Sequence, residues 1–125
     1  MARMRQLFPW FVYKAGKNPA WYGTLRPDPG SFEYRLKLEY RPGQPPKVWV
    51  LSPVVHPGAP HRYQDRSLCL YYPRYGEWHP GMFLAETIVP WAAEWLFFYE
   101  VWLEDPEGRW VGPEAPHDKK KERYR

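Results

Sequence analysis

Residues 32–40 constrain the fold most, because apolar and charged side chains alternate there without interruption. Successive side chains of a β-strand point to opposite faces, so this alternation predicts a strand with one buried and one solvated face. Three other apolar segments have the length of strands: residues 7–13, 20–25 and 47–51. The connections between them are short and rich in proline and glycine. The sequence therefore predicts an antiparallel meander of four strands.

The segment 82–103 predicts one long helix that follows the strands. Its carboxylates fall within roughly 120° of one another on a helix, and the rest of the surface is apolar and largely aromatic. Pro90 interrupts the segment, and proline in a helix interior costs about 3 kcal/mol. We therefore expect either a kink or a restart with Pro90 in a first turn. The aromatic surface is wider than one sheet face requires, which leaves an area for a partner or a second copy. The four carboxylates are Glu86, Glu94, Glu100 and Glu104.

Length and charge predict one domain with a basic tail. The chain has 125 residues, enough for a single core, and a net charge of +4. Much of the positive charge lies near the C-terminus, so we expect a domain over residues 1–117 and a disordered tail over 118–125. The sequence has no apolar run near 18 residues and no signal-peptide pattern, which favours a cytoplasmic protein without a membrane contact.

Cys69 is the only cysteine, which excludes an internal disulfide and a paired-cysteine site. It lies between the polar residues 61–67 and an apolar run, where we expect a strand to leave the core. A nucleophilic thiolate needs such a partly exposed, donor-rich setting. An inert buried thiol and a cysteine–histidine pair of the papain type are alternatives. A metal site with His56 and His61 would match no standard spacing, so we expect neither metal nor cofactor.

Four short motifs follow one another in an order that is typical of a known family. The chain has PPKVWV at residues 45–50, HPG at 56–58, LCL at 68–70 and WHP at 78–80. This order resembles the ubiquitin-conjugating enzymes, which have a strand meander, a His-Pro-Asn motif, the catalytic cysteine and a W-x-P motif before a crossover helix. The resemblance covers roughly residues 20–103. It implies a ubiquitin-conjugating-enzyme-like α+β fold, here without the N- and C-terminal helices of eukaryotic members.

A bacterial branch of that fold is the closer match. The segments PHRY at residues 60–63, LCLYYP at 68–73 and PWAAEWL at 90–96 are similar to segments of that branch. Its members accompany cGAS-like nucleotidyltransferases in antiphage CBASS operons. The resemblance implies that the chain attaches the C-terminus of a partner nucleotidyltransferase to an amine of a target protein, as ubiquitin is attached. The sequence shows no nucleotide-binding motif, so another protein would have to activate that C-terminus.

The resemblance assigns the catalytic role to Cys69, which would carry the acyl group as a thioester. The oxyanion formed by amine attack needs a donor about 3 Å away, for which His61 or a backbone N–H of residues 56–61 is the candidate. Trp78 would shape the groove beside the thiol or belong to the plain core. Asp65 would help to deprotonate the incoming amine.

The histidine motif can be aligned in two ways. If His56 is the motif histidine, Gly58 replaces the family's asparagine. His61 stands at the asparagine's usual distance from Cys69 and is the alternative replacement. His56 and Tyr63 are then supporting residues of the groove.

Two functions of other classes compete with the transferase. A non-catalytic binding module would dock a partner on the aromatic helix face and use Cys69 for packing. A nucleic-acid binder would stack bases on aromatic side chains and hold phosphates with the basic tail. The aromatic residues interleave poorly with lysine and arginine along the sequence, so nucleic acid is the least favoured partner.

Overall fold

The computed structural model describes residues 2–41, 44–70 and 82–112. The fold is α+β, with a four-stranded antiparallel sheet in the order β1-β2-β3-β4. Strands that are adjacent in sequence are adjacent in the sheet, which confirms the predicted meander. The elements are α1 (Ala2–Leu7), β1 (Val12–Lys14), β2 (Ala20–Leu25), β3 (Tyr34–Glu39), β4 (Lys47–Ser52) and α2 (Ile88–Glu104).

The alternation that predicted β3 defines the buried face of the sheet. Tyr34, Leu36 and Leu38 are each 2% exposed, whereas Arg35 between them is exposed. The core is completed by apolar side chains of α2, of which Ile88 and Leu96 are fully buried. Burial of a side chain of this size is worth about 1.5–3 kcal/mol, so the sheet and α2 stabilise one another.

Glu100, one of the four carboxylates predicted to lie on one side of the helix, links α2 to the sheet. Its carboxylate accepts hydrogen bonds from the Tyr34 hydroxyl at 2.7 Å and from the Ser31 hydroxyl at 2.6 Å. Burial, together with the hydrogen bond to this carboxylate, raises the pKa of Tyr34 above its usual value. Glu100 is therefore half-buried and accepts hydrogen bonds from Tyr34 of β3 and from Ser31 before it.

The N-terminal segment differs from its prediction. Residues 7–13 were expected to form a strand without a preceding helix, but Ala2–Leu7 form the short helix α1 and β1 is only Val12–Lys14. Pro9 cannot donate a backbone hydrogen bond, which is consistent with a helix that ends before it. Phe11 is 5% exposed and lies over Gly23, where a Cβ atom would be 2.4 Å from its ring. Core packing of this ring replaces the strand pairing expected for residues 7–11.

The helix α2 begins at Ile88, six residues later than predicted. The residues before it form turns, in which the Thr87 hydroxyl donates to the Phe83 carbonyl at 2.9 Å. Pro90 lies in the first turn, where its missing N–H costs no intrahelical hydrogen bond. The chain thus follows the restart rather than the continuous helix from residue 82. Beyond Glu104, residues 105–112 contain turns and no helix.

Some predictions fall on residues outside the described ranges. These are Trp78, the basic tail over 118–125 and hence the boundary of the domain at 117. None of the helices within residues 2–41, 44–70 and 82–112 is long and apolar enough to cross a membrane.

Candidate functional site

A tight hairpin over residues 61–69 brings the two predicted catalytic residues together. Arg62 and Leu68 form an antiparallel bridge. The Cys69 N–H donates to the His61 carbonyl at 2.9 Å, and two residues inward the Tyr63 N–H donates to the residue-67 carbonyl at 2.9 Å. This register puts His61 opposite Cys69. Opposite residues of an antiparallel pair have Cα atoms about 4.5–5.5 Å apart, so the hairpin places an imidazole-bearing residue beside the thiol-bearing residue.

The hairpin turns over Gln64, Asp65 and Arg66, where the Arg66 N–H donates to the Tyr63 carbonyl at 2.8 Å. The Asp65 carboxylate accepts hydrogen bonds from the Ser67 N–H at 2.9 Å and from the Ser67 hydroxyl at 2.6 Å. Arg66 has a φ of 73°, in the left-handed region that turns use. Aspartate commonly forms such local turns with its own carboxylate. The Leu68 N–H donates to the Val48 carbonyl at 2.9 Å, which fixes the hairpin on the edge of β4.

The contacts of the Asp65 carboxylate argue against its predicted role as a base. Its second carboxylate oxygen accepts from the Lys47 ammonium at 2.7 Å. Burial opposes ionisation of the carboxyl, but the hydrogen bonds from Lys47 and Ser67 outweigh it and lower the pKa of Asp65. A carboxylate with a lowered pKa is a weaker proton acceptor. The structure therefore gives Asp65 a turn-forming role that the sequence had not suggested.

His61 is held in place by the segments packed around the hairpin. It has a φ of 61°, a backbone conformation that is uncommon outside glycine and costs about 1–3 kcal/mol. Its carbonyl accepts from the Trp95 indole N–H at 3.1 Å as well as from Cys69. Its imidazole packs edge to face against Trp110, with ring centroids 5.1 Å apart. Contacts from α2 and from the segment after it thus fix a strained residue next to the thiol.

His56 organises the loop that leads to the hairpin. Its Nδ1 accepts from the Gly58 N–H at 2.9 Å, and its backbone N–H donates to the Tyr99 hydroxyl at 2.8 Å. Its ring packs edge to face against Trp102. A Cβ atom at Gly58 would lie 3.2 Å from the His56 ring, so this position leaves little room for a side chain. His56 supports the loop. Gly58 has no side-chain amide that could act in place of the family's asparagine.

These contacts narrow the choice of an oxyanion donor. The backbone N–H groups of His56 and Gly58 are used as described, and the Ala59 N–H donates to the His56 carbonyl at 2.9 Å. Pro57 and Pro60 have no backbone N–H. The backbone N–H groups of residues 56–60 are therefore engaged or absent, and His61 is the other candidate named from the sequence.

Cys69 lies deeper than its position in the sequence suggested. Only 4% of its surface is exposed, whereas the polar-to-apolar boundary had predicted a thiol displayed where the strand leaves the core. Its backbone N–H is paired inside the hairpin, so the residue is buried as part of that pairing. A protein C-terminus can reach the sulfur only if neighbouring groups move.

Sequence reasoning missed three residues that hold the site. Trp95 and Tyr99 occupy positions i and i+4 of α2, and their rings stack with centroids 5.4 Å apart. This spacing is visible in the sequence, but it does not distinguish the two residues from the general core. Arg62 is 6% exposed and its guanidinium donates to the His56 carbonyl at 3.2 Å. A charged residue in a polar loop carries no sequence signal for such burial.

The described residues contain no metal-binding cluster. Among residues 2–41, 44–70 and 82–112, no three histidine, cysteine or acidic side chains are grouped closely enough to hold an ion.

Comparison with known protein families identifies the chain's family. The family model described as Type II CBASS E2 protein matches residues 1–118. This range includes the whole hairpin, both helices and the four strands. No curated protein sequence matches the chain in a direct comparison.

Proposed function

Because the chain belongs to the Type II CBASS E2 protein family, we propose that it is a ubiquitin-conjugating-like transferase that uses Cys69. In this proposal Cys69 carries a protein C-terminus as a thioester and passes it to an amine of a target protein. The single observation that carries the proposal is the hairpin register, which sets His61 opposite Cys69. The family adds the expectation of conjugating activity and of a role in antiviral defence.

The first chemical step forms the thioester. The Cys69 thiolate attacks the carbonyl of a C-terminus that another protein has activated, and the activating group leaves. The new C–S bond keeps the acyl group reactive towards amines. A cGAS-like nucleotidyltransferase is the proposed donor, because the bacterial branch that the sequence resembles accompanies such enzymes.

The second step transfers the acyl group. A target amine, such as that of a lysine side chain, attacks the thioester carbonyl and forms an amide. The C–S bond breaks, and the proton lost by the amine passes to the departing Cys69 thiolate. The negative charge that develops on the carbonyl oxygen is stabilised by a donor from His61. Loss of one such donor costs about 100-fold or more in rate. We assign His61 this role because the described N–H groups of residues 56–60 are used elsewhere.

The experiment is a comparison of gels with and without thiol reductant. The chain is expressed with its genomic neighbours as wild type, Cys69→Ala and Cys69→Ser. We expect a higher-mass band that thiol removes in wild type, no band in the alanine variant, and a thiol-resistant band in the serine variant, because an oxygen ester resists thiols. A band that persists in Cys69→Ala would contradict the proposal.

The burial of Cys69 favours a second candidate function, a non-catalytic binding module on the same fold. A thiol with 4% of its surface exposed is typical of packing rather than of reactivity. Iodoacetamide discriminates between the two. A thiol that stays inert in the folded protein, with and without the partner, supports the binding module. Alkylation that increases when the partner is added supports the transferase.

A further inference from the structure

The hairpin has a second face, away from His61 and Cys69, that borders a groove against the sheet. Arg62 and Leu68 are the neighbours of His61 and Cys69 along the two strands of the hairpin. Because side chains alternate along a strand, these two residues belong to the opposite face. Both line a cavity of about 420 Å³ between the hairpin and the outer face of β3 and β4. The groove shares Arg62 and the turn residues Asp65 and Arg66 with the hairpin, but His61 and Cys69 are not among its lining residues, and the proposed transfer assigns the groove no role.

The charged residues that line the groove are mostly cations. Among the described residues they are Lys37, Arg62 and Arg66, against the carboxylate of Asp65, and Lys37 lies 3.7 Å from the Glu39 carboxylate. The Asp65 carboxylate is already neutralised by Lys47 at 2.7 Å. Within residues 2–41, 44–70 and 82–112, no carboxylate forms an ion pair with either arginine. The groove therefore has a surplus of positive charge.

Arg62 is the strongest sign that an anion belongs there. The residue is 6% exposed, and its Nε is buried without a hydrogen-bond partner among the described residues. Among the described residues, its Nη2 donates to the backbone carbonyls of His56 and Pro57. Burial, followed by the nearby charge of Arg66, lowers the pKa of Arg62. A buried cation without a counter-ion is destabilising, and an anionic ligand would remove that penalty.

The rest of the lining is aliphatic and indicates the kind of ligand. Val54 is 88% exposed and Leu51 is 41% exposed, so the groove presents apolar surface to solvent beside its charged rim. Trp49 is poorly placed for stacking a base, because the Lys37 ammonium lies 5.3 Å from its ring centroid and its indole N–H donates to the Asp65 carbonyl. An aliphatic floor with a cationic rim fits a peptide that alternates apolar and acidic side chains.

We propose that this groove binds an acidic, aliphatic segment of a partner protein, with carboxylates on Arg62, Arg66 and Lys37 and apolar side chains on Leu51 and Val54. Carboxylates pair well with the planar donors of arginine. The site lies on the reverse face of the hairpin, so a bound partner and a thioester on Cys69 can be present together. The proposal does not depend on acyl transfer.

The test uses the full chain and three fluorescein-labelled hexapeptides in anisotropy titrations. The first peptide alternates leucine and glutamate, the second leucine and glutamine, and the third serine and glutamate. We expect the first to bind at least about tenfold more tightly than either of the others. Its affinity should fall as salt rises from about 50 to about 500 mM, because screening weakens the ion pairs.

Variants at exposed positions locate the binding. Arg66→Glu and Val54→Asp should each weaken the leucine–glutamate peptide at least about fivefold. The matched controls Arg5→Glu and Val111→Asp make the same chemical changes at exposed positions outside the groove, and should change affinity less than about twofold. Circular dichroism checks that each variant is folded, so the test does not depend on the buried Arg62.

Three results would overturn the proposal. The first is no binding of the leucine–glutamate peptide at millimolar concentration. The second is equal binding of the glutamine peptide, which would mean that the cations play no part. The third is a decamer of thymidine nucleotides that binds in its place and responds to Arg66→Glu, which would identify the groove as a nucleic-acid site.

Discussion

Tyr99 holds the loop before the hairpin through one hydroxyl group. The residue is 4% exposed, and its hydroxyl accepts the His56 N–H at 2.8 Å. The sequence places Tyr99 on the wide apolar surface of a helix, but does not show which backbone group it contacts. That partner is 43 residues away in the chain, and only the packing of α2 on the sheet brings the two together.

We predict that Tyr99→Phe lowers the free energy of unfolding by about 1 kcal/mol, because the His56 N–H loses its acceptor while the ring packing is kept. Urea unfolding followed by circular dichroism measures the change. Tyr22→Phe is the matched control, since no hydrogen bond of the Tyr22 hydroxyl occurs among the described residues, and should stay within about 0.5 kcal/mol of wild type. Equal losses in both variants would show that the His56 bond adds nothing.

Asp65 predicts a specific dependence of stability on pH. Its folded pKa is lowered, so the ionised carboxylate stabilises the fold. The contribution is complete above the unfolded value near 3.8 and is lost as pH falls through the lower folded value. Urea unfolding at pH 6 and pH 3 should show that wild type loses more stability than Asp65→Asn, whose other carboxyl groups are unchanged. Equal losses would mean that Lys47 and Ser67 do not stabilise the charge.

At the scale of elements, the strands were more predictable than the segments that connect them. β3 followed from alternation, because a half-buried strand imposes a period of two on its own residues. The start of α2 did not follow, because residues 82–87 have a helical composition but form turns, and the helix begins where Pro90 fits a first turn. The short length of β1 was also not predictable from the sequence. The Phe11 ring packs over β2, and the backbone of Phe11 lies outside the strand.

The contact between the N-terminal segment and β2 gives a test at this scale. Gly23→Ala would place a methyl group 2.4 Å from the buried Phe11 ring, so the ring must move. We predict a loss of about 1–3 kcal/mol in the free energy of unfolding, the usual cost of overpacking. Gly30→Ala adds the same methyl group 3.9 Å from the Asp28 carboxylate, an ordinary van der Waals distance, and should be nearly neutral. A neutral Gly23→Ala would show that Phe11 does not pack there in solution.

At the scale of the whole molecule, three segments converge on the residue beside Cys69. The hairpin sets the register, α2 supplies the Trp95 indole to the His61 carbonyl, and Trp110 after α2 packs against the imidazole. The sequence indicated His61 and Cys69 through their motifs, but gave no sign of Trp110 or of the hydrogen bond from Trp95. Contacts between segments that are far apart in the chain leave no periodic pattern in the sequence, so they could not be predicted from it.

The same convergence buries the thiol, and this sets the demand that the proposed chemistry must meet. A thioester on Cys69 adds bulk at a position with 4% exposure. The groups around it must therefore yield when the donor arrives. In the proposed transferase this burial would protect the thiol until a partner binds, whereas in a binding module it would serve packing alone.

The measurement that tests the proposed function most directly is the intact mass of the chain purified after expression with its genomic neighbours. The account predicts a species heavier by the mass of a partner protein less one water, which neutral hydroxylamine returns to the free mass and which Cys69→Ala lacks. A chain that keeps its free mass while it co-purifies with an intact partner would contradict the account, and would identify a binding module in place of a transferase.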